Sequence, residues 1–293
     1  VSVTANNGSN DSLKVYLGAV NQDVRGTLMT QRMYLDRTGG TDDGNKHEFL
    51  LFFDGGTLQA KADGNLIDGI TDEVGNPVWQ GLIDAVGPLD ASAFIDIPGN
   101  FDANVLRPLL HDPMLADTRD GGLTKQGTGK LTLWAENTFA GPVIIQSGTL
   151  ALVNTQSDNT IPKALYIDVH EGTTLDVTGL DDQREDPAVI GTLILADGQT
   201  LLGYGTVEGR LIAAGGSIVS PGRSTFHPPG APGVLSVVGN YTMDSGSTLD
   251  IEIYGNTIDP NDIQRQEYDQ VEVIGEVRLN EATLKPPGFN GYR

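Results

Sequence analysis

A short phrase, Gly followed by Ser or Thr and then an apolar residue, returns along the chain and constrains its fold more than any other feature. It stands at Gly26-Thr27-Leu28, Gly56-Thr57-Leu58, Gly148-Thr149-Leu150 and Gly172-Thr173-Thr174-Leu175. It returns at Gly191-Thr192-Leu193, Gly205-Thr206-Val207, Gly216-Ser217-Ile218 and Gly246-Ser247-Thr248-Leu249. Gly permits a tight corner, and the apolar alternation around these corners is that of half-buried strands. The clearest stretch is Asp120 to Leu152, with strands expected at Lys130–Trp134, Val143–Ile145 and Thr149–Leu152. A corner-plus-strand unit repeated in this way predicts an all-β coil built rung on rung, a β-solenoid. From Gly148 onward the phrases lie 24, 19, 14, 11 and 30 residues apart, an irregularity expected when loops interrupt rungs of roughly 20 residues.

Composition agrees with a thin β architecture. The chain has 293 residues, 38 of them Gly, well above the usual share of about 7%. Bulky aromatics are few. A net charge of −21 argues against a nucleic-acid partner, because phosphate contacts need clustered Lys and Arg. It disfavours a polyanionic substrate for the same reason. Cys is absent, so neither a disulfide frame nor a thiolate metal site can form. The longest apolar runs, such as Phe49–Phe53, are far shorter than the roughly 20 residues of a membrane-spanning helix, so no spanning segment is expected. No leader pattern is visible at Val1-Ser2-Val3-Thr4, and if the protein is exported, this chain is expected to be its mature form.

Residues 1–12 read as a strand followed by a polar tether, either the first rung of the chain's own coil or an arm exchanged with a neighbouring copy. Residues 13–293 read as the solenoid. Strands are expected at Leu13–Ala19, Gly26–Tyr34, His47–Phe53 and Gly56–Ala60. The pattern loosens over 62–117, where Pro77, Pro88, Pro98, Pro108 and Pro113 predict a loop-rich excursion around a few rungs, with a short helical turn at Leu106–Leu110. The clearest repeats occupy 121–285. They are interrupted by a charged protrusion at Asp181–Pro187, a Pro/Gly loop at Ser220–Gly233 and a polar insertion at Asn256–Glu267. Two strands, Asp269–Ile274 and Glu276–Leu279, and then Ala282–Lys285 precede a loose tail.

At this point the residues resemble a known family. Gly127-Thr128-Gly129-Lys130-Leu131-Thr132-Leu133, Asn137-Thr138-Phe139-Ala140-Gly141-Pro142 and Ser147-Gly148-Thr149-Leu150 resemble the autotransporter-associated β-strand repeat. Trp134-Ala135-Glu136 departs from the small polar residues usual there, and Phe139 replaces the commoner Tyr. More loosely, Val219–Gly222, Pro232–Leu235, Asn240–Thr242 and Tyr268–Val271 resemble the segment that follows such repeats in large bacterial surface proteins. The resemblance implies a right-handed parallel β-helix, export, and an extracellular or cell-surface place in bacteria. It implies no shared catalytic residues.

Parallel β-helices also host polysaccharide lyases and hydrolases, which need converging carboxylates. Asp42, Asp43, Asp72, Glu73, Asp176, Asp181, Asp182, Asp250 and Glu252 are the candidates, but 39 acids in one chain create chance pairs everywhere. Asp250 and Glu252 alternate with Ile251 and Ile253, which places both on a solvated strand face. His47, His111, His170 and His227 show no metal-ligand spacing. Gly222-Arg223-Ser224 lacks the second Gly of a nucleophile elbow, and Gly203-Tyr204-Gly205 leads into no helix that could cradle a dinucleotide. Calcium is the one ion worth weighing. Asp259, Asn261 and Asp262, or Asp181, Asp182, Glu185 and Asp186, offer oxygen ligands, yet neither set has EF-hand or nonapeptide spacing, and both read as solvated loops. Trp79, Trp134, Tyr204 and Tyr254 are too scattered to form an evident sugar platform.

The expectation is therefore a non-enzymatic structural protein without catalytic, metal or cofactor-binding residues. Its uncovered terminal rungs would pair copy to copy, head to tail, in a fibre or surface layer. The alternatives are an adhesin that displays its loops to cell-surface or matrix glycans or receptors, and a polysaccharide-degrading β-helix.

Overall fold

A computed structural model describes residues 12–21, 24–33, 48–68, 79–83, 92–111, 120–154, 160–180, 191–222, 232–253 and 268–285. Among these residues there is no helix, and so none long and apolar enough to cross a membrane. The chain divides into two compact units, Val1–Pro142 and Val143–Arg293.

The first unit makes four turns. The opening turn carries β1 (Ser12–Asn21), β2 (Val24–Arg25) and β3 (Thr27–Thr30). The next three repeat a three-strand pattern: β4 (Glu48–Asp54), β5 (Thr57–Ala60) and β6 (Gly64–Ile67); β7 (Trp79–Ile83), β8 (Ala93–Asp96) and β9 (Asp102–Val105); β10 (Leu109–His111), β11 (Leu123–Gln126) and β12 (Lys130–Leu133). Equivalent strands stack in parallel as β1-β4-β7-β10, β3-β5-β8-β11 and β6-β9-β12. Short β2 departs from this rule and pairs antiparallel with the end of β1.

In the second unit β13 (Val143–Ile145) and β14 (Thr149–Asn154) come first. Three-strand turns follow: β15 (Tyr166–Val169), β16 (Thr174–Leu180) and β17 (Thr192–Leu195); β18 (Thr200–Gly203), β19 (Thr206–Glu208) and β20 (Arg210–Ala213). Next come β21 (Ile218–Pro221), β22 (Val234–Val238) and β23 (Tyr241–Met243), then β24 (Thr248–Asp250), β25 (Gln270–Val273) and β26 (Val277–Leu279), and β27 (Thr283–Lys285). The ladders β13-β15-β18-β21-β24-β27, β14-β16-β19-β22-β25 and β17-β20-β23-β26 are parallel throughout. The tightest turn brings Thr200 against Ile218, 18 residues on. Each unit is thus a parallel β-helix, the coil that the Gly-Ser/Thr phrase predicts. Parallel crossovers are right-handed almost without exception.

The phrase works as its chemistry suggests. Its Thr opens β3, β5, β14, β17 and β19, directly after the corner Gly. Register then stacks like on like inside the coil. Leu150, Leu175, Val207 and Val237 form one fully buried column, each paired with the next. Such burial stabilises by about 1.5–3 kcal/mol per side chain before chain entropy is counted. In the first unit Leu28, Leu58, Ile95 and Lys125 share one column, and Lys125 occupies its core position with no exposure at all.

Among the described residues of 62–117, strands β6 to β10 stack in the ladders. One expectation changes. The helical turn at Leu106–Leu110 does not exist: Leu109 and Leu110 open β10, where they pair with Gly81 and Leu82. Three isolated residues of strand were too few to show a period. The N-terminal arm before Ser12, the loops at 38–45, 181–187 and 256–267, the centre of the 220–233 loop and the tail after Lys285 lie outside the described residues.

Candidate functional site

Of the nine acids weighed for catalysis, Asp42, Asp43, Asp72, Glu73, Asp181 and Asp182 lie outside the described residues. Asp176 lies within β16, its Oδ1 accepting from the N–H and hydroxyl of Thr178 at 3.1 and 2.6 Å. Asp250 faces the neighbouring strand and pairs with Lys285 Nζ at 2.8 Å. The strand ends there, so the alternation expected through Glu252 stops short, and Glu252 Oε2 is buried with no hydrogen-bond partner among the described residues. The N–H of Glu252 donates instead to Asp269.

Asp269 precedes β25 and is buried. Its Oδ1 accepts from Gly233 N at 3.0 Å and its Oδ2 from Glu252 N at 2.8 Å. Burial, reinforced by the Glu252 and Asp250 charges, pushes its carboxyl up to about 7 against the lowering effect of these two bonds. A raised carboxyl is what a general acid needs. Here, however, each oxygen is turned to a backbone donor, which makes the group a clasp between segments.

The first unit holds a fuller clasp. Asp120 Oδ1 accepts from Gly122 N at 2.9 Å and Gly141 N at 2.7 Å. Its Oδ2 accepts from Ala140 N and from His111 Nδ1, both at 2.8 Å. His111 ends β10, and its partner is Asp120, nine residues on. Asn137, in the stretch that carries the family resemblance, accepts at Oδ1 from Leu109 N at 2.9 Å.

Lys125 reaches from its core position to the carbonyls of Gln126 at 2.9 Å and Gly127 at 2.7 Å. Burial lowers its pKa to about 8, and the Asp96 charge partly opposes the shift. In the second unit Asp168 is fully buried, with His170 Nε2 at 3.4 Å from its Oδ2. Burial and then the Asp168 charge raise the Tyr166 hydroxyl; the same two causes, with Glu171, raise that of Tyr204. His47 and His227 lie outside the described residues.

On the outside of the first unit a row of side chains crosses the turns. Trp134 Nε1 donates to Asn104 Oδ1 at 3.1 Å, and Asn104 Nδ2 to Asn65 Oδ1 at 3.5 Å. Asn65 Nδ2 donates to Asp68 Oδ2 at 3.3 Å, and the guanidinium of Arg32 pairs with the same oxygen. Asn65 and Asn104 are register partners in β6 and β9. Beside them lies a recess of about 360 Å3 lined by Thr30, Gln31, Arg32, Asp63 and Asn65.

Among the described residues no group of three or more His, Asp or Glu converges as a metal site. Both calcium candidates lie outside them. Sequence reasoning missed Asp120, Lys125, Asp168, Asp269 and the Asn row. Only Asp168 and His170 carried a local signal, two residues apart in sequence, with Asp168 in β15 and His170 just beyond its end. Every other grouping depends on which residues successive turns bring together.

Residues 123–152 match the family model of the passenger-associated-transport-repeat, over the stretch that resembles the autotransporter-associated repeat. Searches of curated proteins and of solved structures return no match.

Proposed function

We propose that this chain, which carries a passenger-associated-transport-repeat at 123–152, is a non-catalytic passenger-type segment of the bacterial exterior. Its work is mechanical continuity: a stiff coil that associates with further copies end to end. Backbone pairing between turns supplies the stiffness, and each turn covers the hydrogen-bonding edge of the one before.

One observation carries the reading. On the last turn of the second unit, Val277 and Leu279 are 51% and 63% exposed, whereas their register partners one turn earlier, Tyr241 and Met243, are 2% and 1% exposed. Leu284, the partner of Leu249 in the adjacent ladder, is exposed as well. Residues at core positions stand in solvent on strands whose outer edge is unpaired among the described residues. A second copy laid on that edge would bury the apolar column and satisfy the backbone together.

Sedimentation and electron microscopy of the purified protein test this. The wild type is expected to form concentration-dependent polymers, and the Leu279→Lys, Leu284→Lys double variant is expected to stay monomeric with an unchanged circular dichroism spectrum. A wild type that stays monomeric at high concentration, or a variant that polymerises equally, overturns the reading.

A further inference from the structure

We propose that the outer face of the first unit, built from Trp134, Asn104, Asn65, Asp68 and Arg32, is a binding site for a neutral saccharide. The inference starts from Trp134. Its ring is 48% exposed, yet its edge is fixed by the bond from Nε1 to Asn104. An exposed indole held in one orientation gives an apolar platform whose ordering cost is already met in the free protein.

The row beside the platform supplies the polar half of the recognition. In Asn104 and Asn65 each amide uses one N–H toward the next side chain and one carbonyl lone pair toward the previous one. Each keeps a second N–H and a second lone pair. The two turns that carry Asn65 and Asn104 therefore each keep one donor beside one acceptor, at the roughly 4.8 Å spacing of stacked strands. The direction of donation is uniform from Trp134 to the Asp68 carboxylate, so the amides hold one another's orientation. Ligands that carry alternating hydroxyl donors and acceptors on one edge and C–H groups on a flat face are saccharides. The recess against Arg32 and Asn65, at about 360 Å3, has the size of a small-ligand subsite.

Charge selects the kind of saccharide. Arg32, the cation of the row, is paired with Asp68, and Asp63 lines the recess. On a chain of net charge −21 this environment repels uronates and sulfate esters and admits uncharged sugars.

The test titrates the purified chain with hexasaccharides of glucose, mannose, xylose and N-acetylglucosamine, with hexagalacturonate as the acidic control. Heat and indole fluorescence are the readouts. At least one neutral hexasaccharide is expected to saturate, with hexagalacturonate at least about tenfold weaker. Trp134→Ala is expected to lower affinity about tenfold or more, Trp134→Phe less because the ring remains, and Asn104→Ala several-fold, with unchanged melting temperatures. Failure of all four neutral probes to saturate, equal binding by Trp134→Ala, or preference for the acidic control overturns the site. Neither readout depends on whether the chain polymerises.

Discussion

Asp120 in the first unit and Asp269 in the second are about equally buried, yet their surroundings differ in kind. Four N–H groups point at Asp120: those of Gly122, Ala140 and Gly141, and the ring of His111. Two point at Asp269, from Gly233 and Glu252, and the charges facing it belong to other carboxylates. Burial penalises a carboxylate unless donors compensate, so the donor count decides what each group contributes. The first is a knot that holds three segments. The second is a weaker tie, held toward its neutral form.

The largest effect is expected at the fuller knot. Asp120→Asn would turn an amide N–H₂ against backbone donors and leave buried N–H groups unsatisfied. A loss of about 3–5 kcal/mol is expected in chemical denaturation, with faster amide exchange at Ala140 and Gly141. An effect below about 1 kcal/mol would remove the knot from the account. Gly122→Ala attacks the same place through the backbone. Gly122 has φ +66°, and a Cβ there would stand 1.9 Å from the Pro142 carbonyl oxygen. Positive φ alone costs about 1–2 kcal/mol, and the clash is with main chain that cannot rotate away. A loss of about 3 kcal/mol or more is expected from thermal unfolding. At Asp269 the equivalent glycine, Gly222 (φ +74°), abuts the carboxylate itself, 2.2 Å from a built Cβ, and also Gly233 N.

Asp269→Asn is expected to cost less, about 1–2 kcal/mol near pH 5, because one of two bonds survives. Its signature lies in pH. The folded pKa of about 7 exceeds the ordinary carboxyl value of 3.8, so between those values the folded state binds more protons than the unfolded one. Stability from this group is therefore present at low pH and lost as pH rises through about 7. Melting temperatures measured from pH 4 to 8 should show the wild type losing ground on the variant as pH rises. A gap independent of pH would mean that the carboxyl is not held toward its neutral form.

The contrast between these knots could not have been read from the residue order. Strands such as Val143–Ile145 were legible because apolar residues alternate or run between Gly corners, and the Thr of the phrase does open strands. Trp79–Ile83 and Ala93–Asp96 were not, because they sit among prolines and are too short to display a period. His111 and Asp120 are nine residues apart, and Asp269 lies 36 from Gly233. Their meeting depends on loop lengths between turns, which no local pattern encodes. The Asn65–Asn104 row has the same origin, since a residue finds its neighbour one turn away, at a separation set by the loops. For that reason the coil was legible and its polar groupings were not.

The smallest expected effect tests the comparison from its other side. Lys125 is to the first unit what Asp269 is to the second, an ionisable group that burial presses toward neutrality, but with opposite charge. Its column partners Leu58 and Ile95 show that an apolar side chain fits the position. Lys125→Met removes a desolvated ammonium, a gain, and leaves the Gln126 and Gly127 carbonyls and the Asp96 carboxylate without that donor and charge, a loss. These terms nearly cancel, so stability at pH 7 is expected within about 1 kcal/mol of wild type. The sign of the pH dependence separates the two groups. Here the folded pKa of about 8 lies below 10.5, so between those values the unfolded state binds more protons, and stability from this group rises with pH where that from Asp269 has already been lost. Lys125→Met should flatten the wild-type slope between pH 8 and 10 and leave the slope between pH 4 and 7 untouched. If both slopes changed together, the two groups would not be independent, and buried charge in each unit could not be argued from its own partners.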